Sequence, residues 1–268
     1  MACRSSRTAQ AWKARSSNGP SLLWPRRGAA SLGFRDTETG PALSDRAKAS
    51  AALGADGVEP IREGLCDSLW RATRQLHAEA ERTGFVNDIL RQRASLPRYV
   101  VFLRNLLPVY EALEHALQTQ GIAAESISRP QVFRAPALRS DLAALHGSDW
   151  ERGLPLLPAG VAYAQSIVAC SQRNVGIGLA GHAYTRYLGD LNGGQILARL
   201  LAKGLGVPES GLSFYAFPGP MEPRALTASY RAQLDAFGAG LGDISGIVEE
   251  AKASFTHSIA LSLAVAAV

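Results

Sequence analysis

An all-α domain is the fold class this sequence predicts, and three observations predict it. Apolar residues recur at three- and four-residue steps through several long stretches beyond residue 60. No segment sustains apolar–polar alternation, and no turn of the Asn-Gly kind separates two strand-like runs. The composition supports a packed core: 47% of the 268 residues are hydrophobic and only 19% charged, the balance of a globular chain rather than a disordered one. The helical domain is expected over residues 59–264, with no internal repeat.

Taken in order, residues 1–58 carry no apolar period and read as a disordered basic leader. Residues 1–35 hold seven basic side chains (Arg4, Arg7, Lys13, Arg15, Arg26, Arg27, Arg35) and no acidic one. Arg-rich, Ser-rich and acid-poor also describes an organelle transit peptide, while the lack of a continuous apolar run argues against a secretory signal. The first helix follows from Leu65, Leu69, Ala72, Leu76 and Ala80, which fall on one helical face. Tyr99–Gln118 is a second amphipathic stretch, with Leu103, Leu106, Leu107, Tyr110, Leu113 and Leu117 along one side and Pro108 as a candidate kink. Four prolines break up 129–158 around a shorter helical piece at Leu138–His146. Ala159–Cys170, Ile177–Lys203, Arg224–Phe237 and Ile244 to about Leu263 read as the remaining helices.

Charge and cysteine content exclude several classes. The formal charge of +5 belongs to the leader: beyond residue 35, 21 of the 28 basic residues face all 23 acidic ones. The body therefore offers no electrostatic case for nucleic acid. Cys3, Cys66 and Cys170 lie far apart without paired spacing, which excludes a disulfide framework or a CxxC-type zinc site and fits a reducing, cytoplasmic compartment; the leader leaves organelle targeting as the alternative. No window reaches the roughly 20 apolar residues of a membrane span, so none is expected. The literal G-x-G-x-x-G at Gly176–Gly181 lacks both a preceding strand and an acid about 20 residues on, so it is no dinucleotide site.

Two stretches carry chemistry. His77 sits on the first helix with Trp70 two turns before it, Arg74 at i−3 and Glu81 at i+4. It is either an axial metal ligand whose second nitrogen is held by an acceptor, or a half-exposed histidine in an ordinary helix pair with Glu81. The stretch from His182 to Leu197 is helical in period yet carries Gly189, Gly193 and Gly194 in its interior, each costing about 1 kcal/mol relative to alanine. Such a cost calls for compensation. Bare backbone at Gly189 and Gly193, one turn apart, admits a flat ligand or another helix and lets the helix bend. Asp190 lies beside that face with Arg186 one turn earlier, either as a surface ion pair or as an anchor for ordered water. His115, His146, His182 and His257 show no metal-ligand spacing among themselves.

These residues resemble the heme oxygenase family. Ala183-Tyr-Thr-Arg-Tyr-Leu-Gly-Asp-Leu-Asn-Gly-Gly-Gln195 is similar to the family's distal-helix signature nearly residue for residue, with Asn192 where serine is common. Ala72–Glu81 resembles its proximal helix, and Phe214–Pro218, Tyr230-Arg231 and Glu249–Phe255 its C-terminal half. The likeness runs from about residue 62 to about 258. It implies a single-domain helical bundle with heme sandwiched between a proximal helix and a kinked, Gly-rich distal helix. It further implies His77 as axial ligand to the iron, Glu81 as the acid behind it, Gly189 and Gly193 over the distal face, and Asp190, with Arg186 beside it, holding the water network that delivers protons to the oxygen substrate. Tyr184 and Arg231 match residues that hold heme propionates. Trp70 and Thr227 stand where relatives often carry basic propionate contacts, which leaves Arg74 and Arg231 to carry that charge.

The activity so implied is oxidative opening of heme to biliverdin with release of carbon monoxide and ferrous iron, heme being substrate and cofactor together. The chain has no flavin, nicotinamide or iron–sulfur motif, so electrons are expected from a ferredoxin, flavodoxin or NAD(P)H-dependent reductase, acting on a monomer. A non-catalytic heme carrier on the same scaffold is the alternative, opposed by the intact Asp190 and glycine set. A di-iron relative would need inward residues at E-x-x-H spacing, which are missing from the sequence.

Overall fold

A computed structural model of the chain describes residues 63–120, 126–173 and 176–268; the leader expected over 1–58 lies outside these. Among the described residues the regular structure is entirely helical: α1 (Leu65–Arg82), α2 (Gly84–Leu90), α3 (Leu96–Thr119), α4 (Ala135–His146), α5 (Trp150–Gly153), α6 (Pro158–Ser171), α7 (Leu179–Ala183), a wide π-type turn (Tyr184–Leu188), α8 (Gly189–Leu205), α9 (Pro223–Ala239) and α10 (Ser245–Ala266). The expected all-α class holds, and the long helices fall within a few residues of the periodicity-based bounds. None of these helices is long and apolar enough to cross a membrane.

The core follows from the stripes. Tyr99, Leu103, Leu106, Tyr110, Leu113 and Leu117 repeat every three or four residues along α3 and are all at most 1% exposed. Each such leucine contributes about 2 kcal/mol by leaving water. The stripe is covered by α4 and α6 and touched by α10, which also packs on α1, α2, α6 and α7, while α9 lies against α1. Pro108 sits inside α3 without ending it.

Two breaks in the helices have local causes. Gly84 opens α2, a helix not anticipated from periodicity, with a left-handed φ of +62°, and a Cβ there would collide with the backbone of Ser262. Ser262 then accepts from the Val86 amide at 3.0 Å, pinning the start of α2 to α10. The single helix expected over Ile177–Lys203 is three pieces, α7, the wide turn and α8. The G-x-G-x-x-G run enters α7, where a side chain at Gly181 would collide with the Ile247 carbonyl and the Ala251 amide; its glycines serve helix crossing.

α4 begins on a buried carboxylate. Glu114 of α3, 7% exposed, accepts from the backbone amides of Arg134 and, at 3.0 Å, Ala135, where no side chain of α4 itself caps the end. Arg134, also buried, is spent on carbonyls: Val132 at 3.1 Å and Ala216, with its guanidinium 4.0 Å from the centre of the Phe217 ring.

Burial raises the Glu114 carboxyl to about 6 against the pull of those two amides. The folded chain therefore holds a proton there that the unfolded chain has lost between pH 4.5 and 6, so this group's contribution falls as pH rises through that window. Glu114→Gln keeps an acceptor oxygen and removes the titration. Relative to wild type it is expected to gain on the order of 2 kcal/mol on going from pH 4.5 to pH 7. Urea unfolding at both pH values checks this; parallel changes in the two proteins would refute it.

Candidate functional site

One cleft gathers most of the residues singled out by the sequence. It encloses about 940 Å³ including its open mouth and is lined from α1 by His77 and Glu81, from the wide turn by Tyr184 and Arg186, and from α8 by Gly189, Asp190, Gly193 and Gly194. Phe102, Leu106, Phe214, Phe255 and Leu261 supply apolar walls. An apolar cleft of this size with a few convergent polar groups suits a small-molecule ligand.

His77 is 8% exposed. Its Nδ1 stands 3.6 Å from a Glu81 carboxylate oxygen one turn on, and the rings of Trp70 and Phe255 meet it edge-on at centroid distances of 5.7 and 5.6 Å. Burial pulls the imidazole below its ordinary range, opposed by Glu81. A neutral ring with a carboxylate at one nitrogen is the form that lends its other lone pair to a metal.

The facing helix is built to be bare. A side chain at Gly189 would meet nothing within 4 Å, so that position opens onto free space. Gly193 is buried in the cleft wall. Gly194 differs: a Cβ there would sit 3.1 Å from the Tyr215 ring, and its bareness also serves packing. The π-type turn immediately before Gly189 adds a residue to the helical cycle and sets the rotation of α8 about its axis. The Asn192 amide donates to the Leu188 carbonyl at the end of that turn at 2.7 Å, so the asparagine in place of serine is accommodated locally.

Asp190, 7% exposed, accepts a short hydrogen bond from the Tyr110 hydroxyl and lies 3.4 Å from an Arg186 nitrogen. Arg186 also donates to Tyr110 at 3.0 Å and to Ser258 of α10 at 3.2 Å. Burial raises the Asp190 carboxyl above its ordinary value, against the pull of Arg186, the Tyr110 hydrogen bond and Arg134. A carboxyl lifted in this way beside a cleft is suited to holding and passing protons. Sequence reasoning placed Tyr110 on the apolar stripe of α3 and missed its role. The available signal was its hydroxyl, which a buried position must satisfy.

The basic candidates are placed differently. Arg74 is exposed and is not among the residues lining the cleft. Arg231 of α9 is ion-paired with Asp67 of α1, and its Nε is buried without a hydrogen-bond partner. Thr227 bonds back to the Pro223 carbonyl within α9 at 2.8 Å. Tyr184 is 1% exposed in the cleft wall, its hydroxyl pushed up by burial.

Comparison with known proteins points one way. The family model described as heme oxygenase matches residues 63–263. The chain is 34% identical over 198 residues to Heme oxygenase 1 of Nostoc sp., covering 73% of this chain and 83% of that one. It is 30% identical over 207 residues to Heme oxygenase 1 of Gallus gallus, covering 75% and 70%. Among solved structures, that of Synechocystis sp. heme oxygenase-1 in complex with heme aligns with a TM-score of 0.69 at 28% identity, covering 74% of this chain and 90% of the other. That of heme oxygenase from Leptospira interrogans aligns at 0.68 and 30% identity, covering 75% and 99%.

Open space at Gly189 separates its role from that of Gly194. Gly189→Ala is expected to stabilise the ligand-free chain by about 0.5–1 kcal/mol, as alanine favours a helix interior, and to weaken binding of a flat ligand. Gly194→Ala is expected to destabilise the ligand-free chain through the Tyr215 ring. Thermal unfolding with and without ligand separates the two; a Gly189→Ala variant that binds as tightly as wild type would remove α8 from the ligand face.

Proposed function

The chain belongs to the heme oxygenase family, and from that premise we propose how its own residues divide the work. The protein is a heme-degrading oxidoreductase: it opens heme to biliverdin with release of carbon monoxide and ferrous iron, heme serving as substrate and cofactor and the electrons coming from an external donor. The carrier alternative lacks support, since a carrier has no use for a buried acid network beside its ligand.

One observation carries the assignment of roles: His77 of α1 and the bare Gly189–Gly193 backbone of α8 line the same cleft. The donor set fits the group. A neutral buried imidazole suits the iron, apolar walls suit the macrocycle, and open space where a Cβ would stand suits a plane laid on backbone. Bound heme supplies the iron at which dioxygen is activated and the ring carbon that is oxidised.

His77 would hold the iron, and Glu81 would keep the imidazole oriented as acceptor facing its Nδ1–H. Gly189 and Gly193 would let α8 lie close to the plane of the ring. Asp190, its carboxyl raised by burial, is the group beside the cleft that would order water and deliver protons, while Tyr110 and Arg186, the latter kept charged by Tyr110 and Asp190 despite burial, fix it in place. Tyr184, in the cleft wall, would meet a propionate. Arg231 would meet one by exchanging Asp67 for it, which would also engage an arginine whose Nε has no hydrogen-bond partner. Arg74 is exposed and outside the cleft lining, so propionate pairing falls to Arg231.

The donor is proposed to be a ferredoxin, a flavodoxin or an NAD(P)H-dependent reductase acting on a monomer in the cytoplasm, with the buried free thiols Cys66 and Cys170 in keeping with a reducing compartment.

Replacing His77 by alanine is expected to abolish the histidine-ligated absorption spectrum of the heme complex; an unchanged spectrum would take His77 off the iron. Asp190→Ala is expected to bind heme as wild type does and to lose biliverdin formation by roughly 100-fold or more, the usual range for a lost proton donor. Undiminished biliverdin yield from reductant and air would defeat the proton relay.

A further inference from the structure

Where α6, α7 and α10 meet, three side chains that take no part in the heme cleft converge. They are Cys170 Sγ, His182 Nε2 and a Glu250 carboxylate oxygen, all within 4.8 Å of one another. We infer that Cys170, His182 and Glu250 form a second metal site, for one divalent ion of zinc's character, separate from the iron-binding cleft.

The donor types support zinc. A thiolate, an imidazole and a carboxylate together suit a borderline-soft ion and disfavour calcium or magnesium, which prefer oxygen alone. Bond lengths of zinc to these atoms place donors roughly 3.3–3.6 Å apart in a tetrahedron. His182 Nε2 and Glu250 Oε2 are already 3.0 Å apart, so closing the site needs only side-chain adjustment. Thiolate and carboxylate charges match a divalent ion, leaving the inner set neutral.

The surroundings also favour a site. His182 is fully buried, its Nδ1 has no partner, and its polar engagement is directed toward Glu250. Gly178 closes over the cluster: a Cβ there would stand 2.8 Å from Cys170 Sγ and 2.8 Å from the Glu250 side chain, so only glycine leaves the space. Arg173 holds the outer carboxylate oxygen of Glu250 at 2.7 Å and leaves the inner one to coordinate. The Glu250 side chain is 17% exposed, which gives solvent access for a water as fourth ligand.

On binding, the zinc–sulfur bond forms as the Sγ–H proton passes to solvent, and the His182 proton moves from Nε2 to Nδ1 to free the coordinating lone pair. No oxidation state changes. The ion would tie α7 to α6 and α10 two residues before the wide turn that sets α8, and so brace the distal wall from outside the cleft.

The test is calorimetric titration of the zinc-free, full-length, heme-loaded chain with Zn2+. One equivalent is expected, with affinity falling at least tenfold in both Cys170→Ser and Glu250→Gln, each of which should keep its heme spectrum and so report a folded chain. In heme-free His77→Ala, Co2+ should give a thiolate-to-metal charge-transfer band that Cys170→Ser abolishes. Uptake undiminished by both substitutions, absence of stoichiometric uptake, or Co2+ binding without the thiolate band would each overturn the site and leave these residues as a hydrogen-bonded cluster. None of these outcomes bears on the oxygenase reading, which rests on the residues lining the cleft, none of which belongs to this cluster.

Discussion

A helix that must present naked backbone to open space is the constraint to which the rest of the molecule answers. Gly189 faces that space with nothing within 4 Å, and interior glycines weaken a helix by about 1 kcal/mol each. Stability is recovered around it. The Tyr215 ring fills against Gly194, Gln195 bonds to the Tyr215 carbonyl at 2.7 Å, and Leu188, Leu191 and Leu201 are buried on the side away from solvent. The wide turn at Tyr184–Leu188 matters for the same reason. An ordinary helix advances 100° per residue, so one residue more or fewer before Gly189 would rotate the glycines out of the cleft.

Beside the bare stretch sits a dense buried polar set. Asp190, Tyr110, Arg186 and Ser258 satisfy one another across α3, the wide turn, α8 and α10. Charges inside a protein are tolerated when paired and hydrogen-bonded, and losing one member leaves the others uncompensated. The network thus joins chemistry to architecture: the groups that position a proton also fix three helices against each other. Glu114 and Arg134 play the purely architectural version of the same part a turn further along α3.

Much of this was legible in the sequence, for physical reasons that can be traced residue by residue. Long helices with a clean stripe, such as α3, announced themselves because burial on one face demands that period. The glycine run was legible because it breaks a rule expensive enough to require a cause. His77 alone was ambiguous: Trp70 and Glu81 share its helix in the sequence, but only the fold brings Phe255 against it and buries it. Three features were illegible. The π-type turn has no residue signature apart from the motif that contains it. Gly84 splits α1 from α2 because of Ser262, 178 positions away. Cys170, His182 and Glu250 come from three helices, and spacing rules for metal ligands see only neighbours in sequence. The pairing of Arg231 with Asp67 likewise depends on distant segments meeting, here the contact of α9 with α1.

Trp70 is more than a departure from family habit. Its indole lies edge-on to His77 at a centroid distance of 5.7 Å, while Trp150 is buried on α5. A porphyrin held by His77 would lie near that indole, and energy passes readily from an excited indole to so strong an absorber. The chain thus carries its own optical gauge of occupancy: filling of the cleft darkens the emission of Trp70, and clearance of the product restores it.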